Sequence, residues 1–140
     1  MKLVLDANVL IGALDRSDPH HLQARALFTG WQEQDATRLI SVVNLSEVLV
    51  APAADNERLR AARQAIAALG VAIHQPGETI GVEAARLRGR HPISLADAYC
   101  LATARHAAGS AVSFDRKVAR AAAAERIAFA ATPTAEQPPT

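Results

Sequence analysis

Cysteine is almost absent from this chain. Cys100 is the only one in 140 residues, which excludes an intramolecular disulfide and favours a reducing compartment. It sits in the apolar run Ala98-Tyr99-Cys100-Leu101-Ala102, without an obvious charge partner to lower its pKa, so it reads as a small buried hydrophobe and not as a catalytic thiol. Aromatic residues are also scarce, at 4%, and the core must be built from Leu, Val, Ile and Ala. No apolar run approaches the length of a membrane span or of a signal peptide; the expectation is a soluble, cytoplasmic protein. Lysine is limited to Lys2 and Lys117, so positive charge is almost entirely arginine.

The formal net charge of +1 hides an uneven distribution. Arg58, Arg60 and Arg63 form one basic group, Arg86, Arg88, Arg90 and His91 a second, and Arg116, Lys117 and Arg120 a third. Arginine forks suit phosphates and carboxylates, while the plainer alternative is a set of solvated helix faces with ordinary ion pairs. With hydrophobic residues at 50% and charged ones at 21%, the composition is globular, and the length fits one domain. Residues 1–131 are expected to form that domain. The Pro- and Thr-rich tail 132–140 is expected to be disordered.

Short apolar runs alternate with helical periodicity. The spacing predicts a strand at the start, ending at Asp6, then a helix from about Leu10. A longer helix should run from about His20 to Gln34 with Leu22, Ala26 and Trp31 on its apolar positions, opened by Asp18-Pro19 as cap and first-turn proline. Arg38–Val42 reads as a strand, 44–53 as a helix, and 56–69 as a helix stopped by Gly70. A short strand Val71–His74 and a helix Glu78–Arg88 follow. Ser94 and Asp97 then form a capping box at the head of a helix reaching Ala107 and stopped by Gly109. Strand Ala111–Phe114, an alanine-rich helix 116–125 and a last strand candidate Ile127–Ala130 complete the order. Strands alternating with helices imply an α/β fold with a mostly parallel central sheet.

Four acids stand out within that frame. Asp6 ends the first strand and Asp115 follows the late one, and in an open parallel sheet ligands bind beyond the carboxyl ends of the strands. Glu47 lies in Asn44-Leu45-Ser46-Glu47-Val48-Leu49, flanked by apolar residues, where a carboxylate needs a partner. Asp97 belongs to a helix start. Each has a plain alternative: Asp6, Asp97 and Asp115 can simply cap helices, Glu47 can pair with an arginine, and Asn8 can either cap a helix or orient Asp6. Brought together, four carboxylates would repel one another unless a cation neutralised them. Mg2+ suits such a site, with Mn2+ as a substitute, and the implied chemistry is metal-assisted phosphodiester hydrolysis.

At these residues the chain resembles the PIN-domain nucleases, and among them the VapC-type toxins of bacterial toxin-antitoxin pairs. The resemblance runs through Val4-Leu5-Asp6-Ala7-Asn8-Val9-Leu10-Ile11, Asn44-Leu45-Ser46-Glu47-Val48, Ser94-Leu95-Ala96-Asp97-Ala98 and Val112-Ser113-Phe114-Asp115. It implies a three-layer fold with helices flanking the sheet, and a metal-dependent endoribonuclease whose acidic pocket is made by Asp6, Glu47, Asp97 and Asp115. Asp6, Asp97 and Asp115 would ligate the metal, with Asn8 and Ser113 in support. Ser113 stands where the family often has threonine, which keeps the hydroxyl. The resemblance also implies a homodimer and a small antitoxin that blocks the pocket. An antitoxin segment presenting arginine would lie across the acids, against apolar helix surface near Leu45, Val48 and Leu49. Arg116 and Lys117 are the candidates for holding the RNA backbone. An aspartyl-nucleophile phosphohydrolase would want a second acid where Asn8 stands, and a phosphoacceptor receiver domain lacks its acidic pair and late lysine. A non-catalytic RNA- or partner-binding module would need none of the four acids.

Overall fold

The computed structural model describes residues 1–130; the expected tail 132–140 lies outside the described residues. Four strands, β1 (Lys2–Leu5), β2 (Thr37–Ser41), β3 (Val71–His74) and β4 (Ser110–Val112), alternate with seven helices: α1 (Ala7–Leu14), α2 (His21–Glu33), α3 (Val42–Leu49), α4 (Asn56–Ala68), α5 (Glu78–Arg90), α6 (Leu95–Ala107) and α7 (Arg116–Glu125). The sheet order is β3-β2-β1-β4 and every pairing is parallel. The strand order therefore reverses at β1, whose neighbours are β2 on one side and β4 on the other. Such a switch point opens a crevice beyond the strand ends, and Asp6 is the first residue past β1.

Strand periodicity sorts the core into two layers. Leu3 and Leu5 face one way, onto Val9, Leu10, Phe28, Trp31 and Val48 from the first helices. Val4 faces the other way, onto Ile80, Leu87, Leu101 and Val118 from α5, α6 and α7. Helices thus cover both faces, as a parallel sheet requires. Along α6, Ala98, Ala102 and Ala104 are all fully buried, and their small side chains let this helix lie close against the sheet. Cys100 is buried beside them, its Sγ 3.7 Å from the Val4 carbonyl oxygen, and burial holds the thiol well above its usual range.

Several boundaries differ from those expected. β2 stops at Ser41, because the Ser41 hydroxyl accepts a hydrogen bond from Val43 N at 3.3 Å and starts α3 two residues early. That helix ends at Leu49, and Pro52 opens a separate 3-10 turn over Pro52–Ala54. In α2, Leu22 is 82% exposed and Ala26 also faces solvent; the buried stripe is Ala24, Phe28 and Trp31. Trp31 belongs to the expected stripe and is buried, but Ala26 lies five residues before it and so on another face, whereas Ala24, Phe28 and Trp31 follow the four- and three-residue helical step and bury two large rings. Asp18 does not cap α2 but accepts from His20 N at 2.8 Å, one residue before the helix begins. The Ile127–Ala130 segment makes a single bridge, Ala111 to Phe129, instead of a full strand.

Gly109 does not supply the left-handed stop of α6; Ala108 does, with φ 54°. A Cβ on Gly109 would lie 2.9 Å from the Lys2 carbonyl oxygen, so glycine is needed there for close approach to β1.

Candidate acidic site at the end of β1

Asp6 is the only acidic residue among the buried polar side chains of the described residues, with 3% of its surface exposed. As N-cap of α1, its Oδ1 accepts from Ala7 N at 2.8 Å. Its Oδ2 accepts from the Ser113 hydroxyl at 2.7 Å. The proton on Ser113 must point to Asp6, because Asn8 Nδ2 at 3.1 Å and Asp115 N at 3.1 Å both donate to the same hydroxyl oxygen. Ser113 thus links the two strand-end acids. Its reach follows from the early end of β4 at Val112, which frees residues 113–115 to curl over β1. Asn8 accepts from Phe114 N at 3.2 Å, so this side chain orients the Ser113 loop and caps nothing.

Asp97 does both things open to it. Its Oδ2 accepts from Ser94 N at 3.2 Å and its backbone N donates to Ser94 Oγ at 3.0 Å, completing the capping box, and the residue also lines an open pocket of about 370 Å3 with Asp6, Ala7, Asn8, Ile11 and Glu47. Glu47 reaches this pocket from the exposed side of α3, while Leu45 and Val48 on either side turn inward. It is therefore not the buried acid that its apolar neighbours implied. Asp115 is absent from the pocket lining. It caps α7 by accepting from Lys117 N at 2.8 Å and touches the site through its backbone bond to Ser113.

Asn44 was missed by sequence reasoning. Fully buried, it donates from Nδ2 to the Ala96 carbonyl at 3.0 Å and to Asp6 Oδ1 at 3.4 Å, so α3 is tied to the first turn of α6 and to β1. Its Oδ1 is buried without a partner. The available signal was a polar residue on the buried stripe of α3, one turn before Glu47.

Burial pushes the Asp6 carboxyl up to about 7, against the Ser113 hydrogen bond that favours its charged form, and the Asp97 and Glu47 charges add to the rise. Partial burial and Asp97 raise Glu47 as well. Among the described residues none of these three acids is in an ion pair, so their mutual repulsion is offset by hydrogen bonds and helix N-termini and not by a cationic side chain. No group of three or more His, Cys, Asp or Glu side chains is gathered closely enough to hold a metal among the described residues. The donor set nevertheless suits a hard divalent cation. Mg2+ takes one or two carboxylates and keeps several waters, and here oxygen donors surround an open pocket whose negative charge lacks a cationic partner.

The arginines divide differently. Arg90 and His91 are spent on Glu125, at 2.9 and 2.6 Å, and Arg105 joins the same carboxylate and Glu83; this ties the ends of α5, α6 and α7 together. Arg60 and Arg63 instead line a groove of about 580 Å3 with Leu45, Leu59, Ile66 and Ile73. Of the apolar docking surface expected at Leu45, Val48 and Leu49, only Leu45 reaches that groove. Val48 and Leu49 pack against the core because they lie on the sheet-facing side of α3. Arg116 and Lys117 are exposed in the first turn of α7.

A family model described as the PIN domain matches residues 3–124. Among solved structures, the chain is similar to Mycobacterium tuberculosis VapC20, described as a sarcin-ricin loop cleaving toxin, with 18% identity over 85% of this chain and 94% of that one and a TM-score of 0.70. A toxin-antitoxin complex from Klebsiella pneumoniae gives 23% identity over 82% and 88%, at 0.64. VapBC-1 from nontypeable Haemophilus influenzae gives 13% over 93% and 97%, at 0.70. These likenesses are ones of fold. No protein of curated function matches the chain in sequence.

Proposed function

The chain belongs to the PIN domain family, and from that premise we propose that it is a metal-dependent endoribonuclease acting as the toxin of a toxin-antitoxin pair. The observation that carries this reading is the gathering of Asp6, Glu47 and Asp97 in one open pocket at the sheet's switch point, without a cationic partner. Asp6 and Asp97 are the proposed metal ligands within the pocket, and Asp115, outside its lining, is proposed as the third from the Ser113 loop, with Mg2+ or Mn2+ as the ion. When bound, the cation supplies activation of water and offsets the charge that develops on a phosphodiester. Glu47, with its proton affinity raised, is placed to take a proton at the pocket mouth. Ser113 and Asn8 hold the Asp6 carboxylate in one orientation, and Asn44 keeps α3 and α6 at fixed distance from it. The test is cleavage of a mixed RNA pool in Mg2+; loss of cleavage on adding EDTA supports the reading, and persistence overturns it.

Arg116 and Lys117 are the proposed backbone contacts. A cation in the first turn of a helix opposes the helix dipole, so stability does not account for this pair. Changing both to Gln is expected to flatten the salt dependence of RNA binding, by about 0.7 in log–log slope for each phosphate the protein no longer engages. An unchanged slope across a salt series would place the RNA path elsewhere.

A pocket of clustered acids is also a target for an arginine fork, which forms bidentate charge-assisted hydrogen bonds and competes with a cation. We assign the partner as a small antitoxin whose apolar residues fill the groove at Leu45, Leu59, Ile66 and Ile73 and whose arginine reaches the acids. A homodimer acting in the cytoplasm is the expected assembly. Expression of the chain alone should arrest growth of its host, and co-expression of the antitoxin should restore it. Normal growth with active, folded enzyme would point to housekeeping RNA processing.

A further inference from the structure

Beyond the acids, one surface feature adjoins the pocket and takes no part in the chemistry above. The rings of His20 and Phe114 are stacked, with centroids 4.5 Å apart and planes 15° from parallel. Phe114 is partly buried and packs against the α1 side of the core, so its inner side is occupied. The His20 side chain covers it and is itself 39% exposed. Among the described residues the other close aromatic pair, Phe28 with Trp31, is edge-on and buried. In a chain with 4% aromatic residues, the one parallel stack thus lies at the surface.

Its position relative to the pocket follows from α1. Asn8 lines the pocket, and its Oδ1 accepts from Phe114 N. Gly12 lies four residues further along the same helix face, about 6 Å along the axis, and a Cβ there would meet His20 Cβ at 3.6 Å. The stack therefore stands on the Asn8 side of the acidic pocket, just outside its lining. His20 is held by its backbone, by one ring edge and by the face against Phe114: its backbone N donates to Asp18 Oδ1 at 2.8 Å, its Nδ1 lies 3.6 Å from the same oxygen, its carbonyl accepts from Ala24 N at 2.8 Å, and its side chain makes no cap bond to α2.

We propose that His20, backed by Phe114, is a nucleobase-stacking site that receives the base of the RNA nucleotide next to the bond being cut. Single-stranded bases are held in this way on aromatic faces, with little need of hydrogen-bond readout. The inference rests on the ribonuclease reading and deepens it: the acids handle the phosphodiester while the stack sets the register of the strand.

The test uses the full chain and a single-stranded RNA oligomer carrying 2-aminopurine at successive positions, with binding read by fluorescence in EDTA and cleavage read in Mg2+. In the wild-type protein one position should be quenched on binding. His20→Ala should remove that quench and raise KM about tenfold with kcat within about twofold, and His20→Trp should restore both. His20→Leu separates stacking from shielding, since it covers Phe114 without a π face. If Leu restores KM as well as Trp does, or if Ala leaves quench and KM unchanged, the stacking site is refuted. Wild-type protein that neither binds nor cuts RNA would overturn the ribonuclease reading, and this inference with it; that result is obtained before any variant is made.

Discussion

Replacing Asp6 by Asn is expected to lower RNA cleavage in Mg2+ by at least about 100-fold, the scale on which single groups that organise charge at an active centre are felt. The change keeps the shape of the side chain. The new amide would still accept from Ala7 N through its oxygen, but its NH2 would face a Ser113 hydroxyl that already accepts from Asn8 and Asp115, so the bond from Ser113 is lost while the other ties of the loop over β1 remain. What disappears is the buried charge that a divalent cation would neutralise. The same substitution should stabilise the metal-free protein. The Asp6 carboxyl ionises near 3.8 when exposed and is pushed up to about 7 by burial and by Asp97 and Glu47. Between those values the folded protein binds a proton that the unfolded chain has released. Stability of the wild type must therefore fall as pH rises from about 4 to about 7, and the cost is fully present above that. Removing the charge should return about 4 kcal/mol at pH 8, of which the lost Ser113 bond takes back about 2 kcal/mol, leaving a Tm higher by about 6 °C. Mg2+ should raise the Tm of the wild type and not that of Asp6→Asn. A variant that melts no higher at pH 8 and still cuts RNA would refute the role given to Asp6.

The second large effect belongs to Glu125, at the far end of the helix that Asp115 caps. Its carboxylate is held down to about 2, first by hydrogen bonds from Arg90, then by those from His91 and Arg105. Both Glu125 and His91 are mostly covered, at 13% and 16% side-chain exposure, so water screens the pair only in part. A depressed carboxylate stabilises the fold above its unfolded value near 4.5, and that stability is lost as pH falls towards 2. Glu125→Gln should cost about 2 kcal/mol at neutral pH, on the scale of charge-assisted hydrogen bonds. Tm should drop by about 6 °C. The variant's stability should also depend less on pH between 4.5 and 2, which acid titration followed by circular dichroism would read. Equal acid sensitivity in the two proteins would show that the clasp between α5, α6 and α7 contributes little.

Much of the site was legible locally. Asp6 follows a short continuous apolar run that reads as a buried strand, and Ser94-to-Asp97 is a capping box by spacing alone. Both features depend on residues within one or two turns of each other, where neighbours in sequence are also neighbours in space. Glu47 was found for the wrong reason. Its flanking Leu45 and Val48 suggested burial, but a helix turns about 100° per residue, and neighbours in sequence point in different directions. The stripe on α2 held at Trp31 and failed at Leu22 and Ala26 for a related cause: the five-residue step from Ala26 to Trp31 leaves one helix face for another.

The sequence by itself determined the alternation of strands and helices, the capping box of Ser94 and Asp97, and the placement of Asp6 and Asp115 beyond strand ends, because these follow from periodicity and from hydrogen bonds within a few residues. Tertiary structure alone decided which partners long-range groups meet. Arg90 and Arg105, indistinguishable in the sequence from phosphate-binding arginines, were committed to Glu125 by the packing of three helices. Asn44 became a brace for Asp6 because α3, α6 and β1 converge there, and the order β3-β2-β1-β4 put the crevice beyond β1. Such choices compare every possible pairing across the whole chain, and the winner is set by the total burial and hydrogen bonding of the fold, a quantity that no local stretch of residues contains.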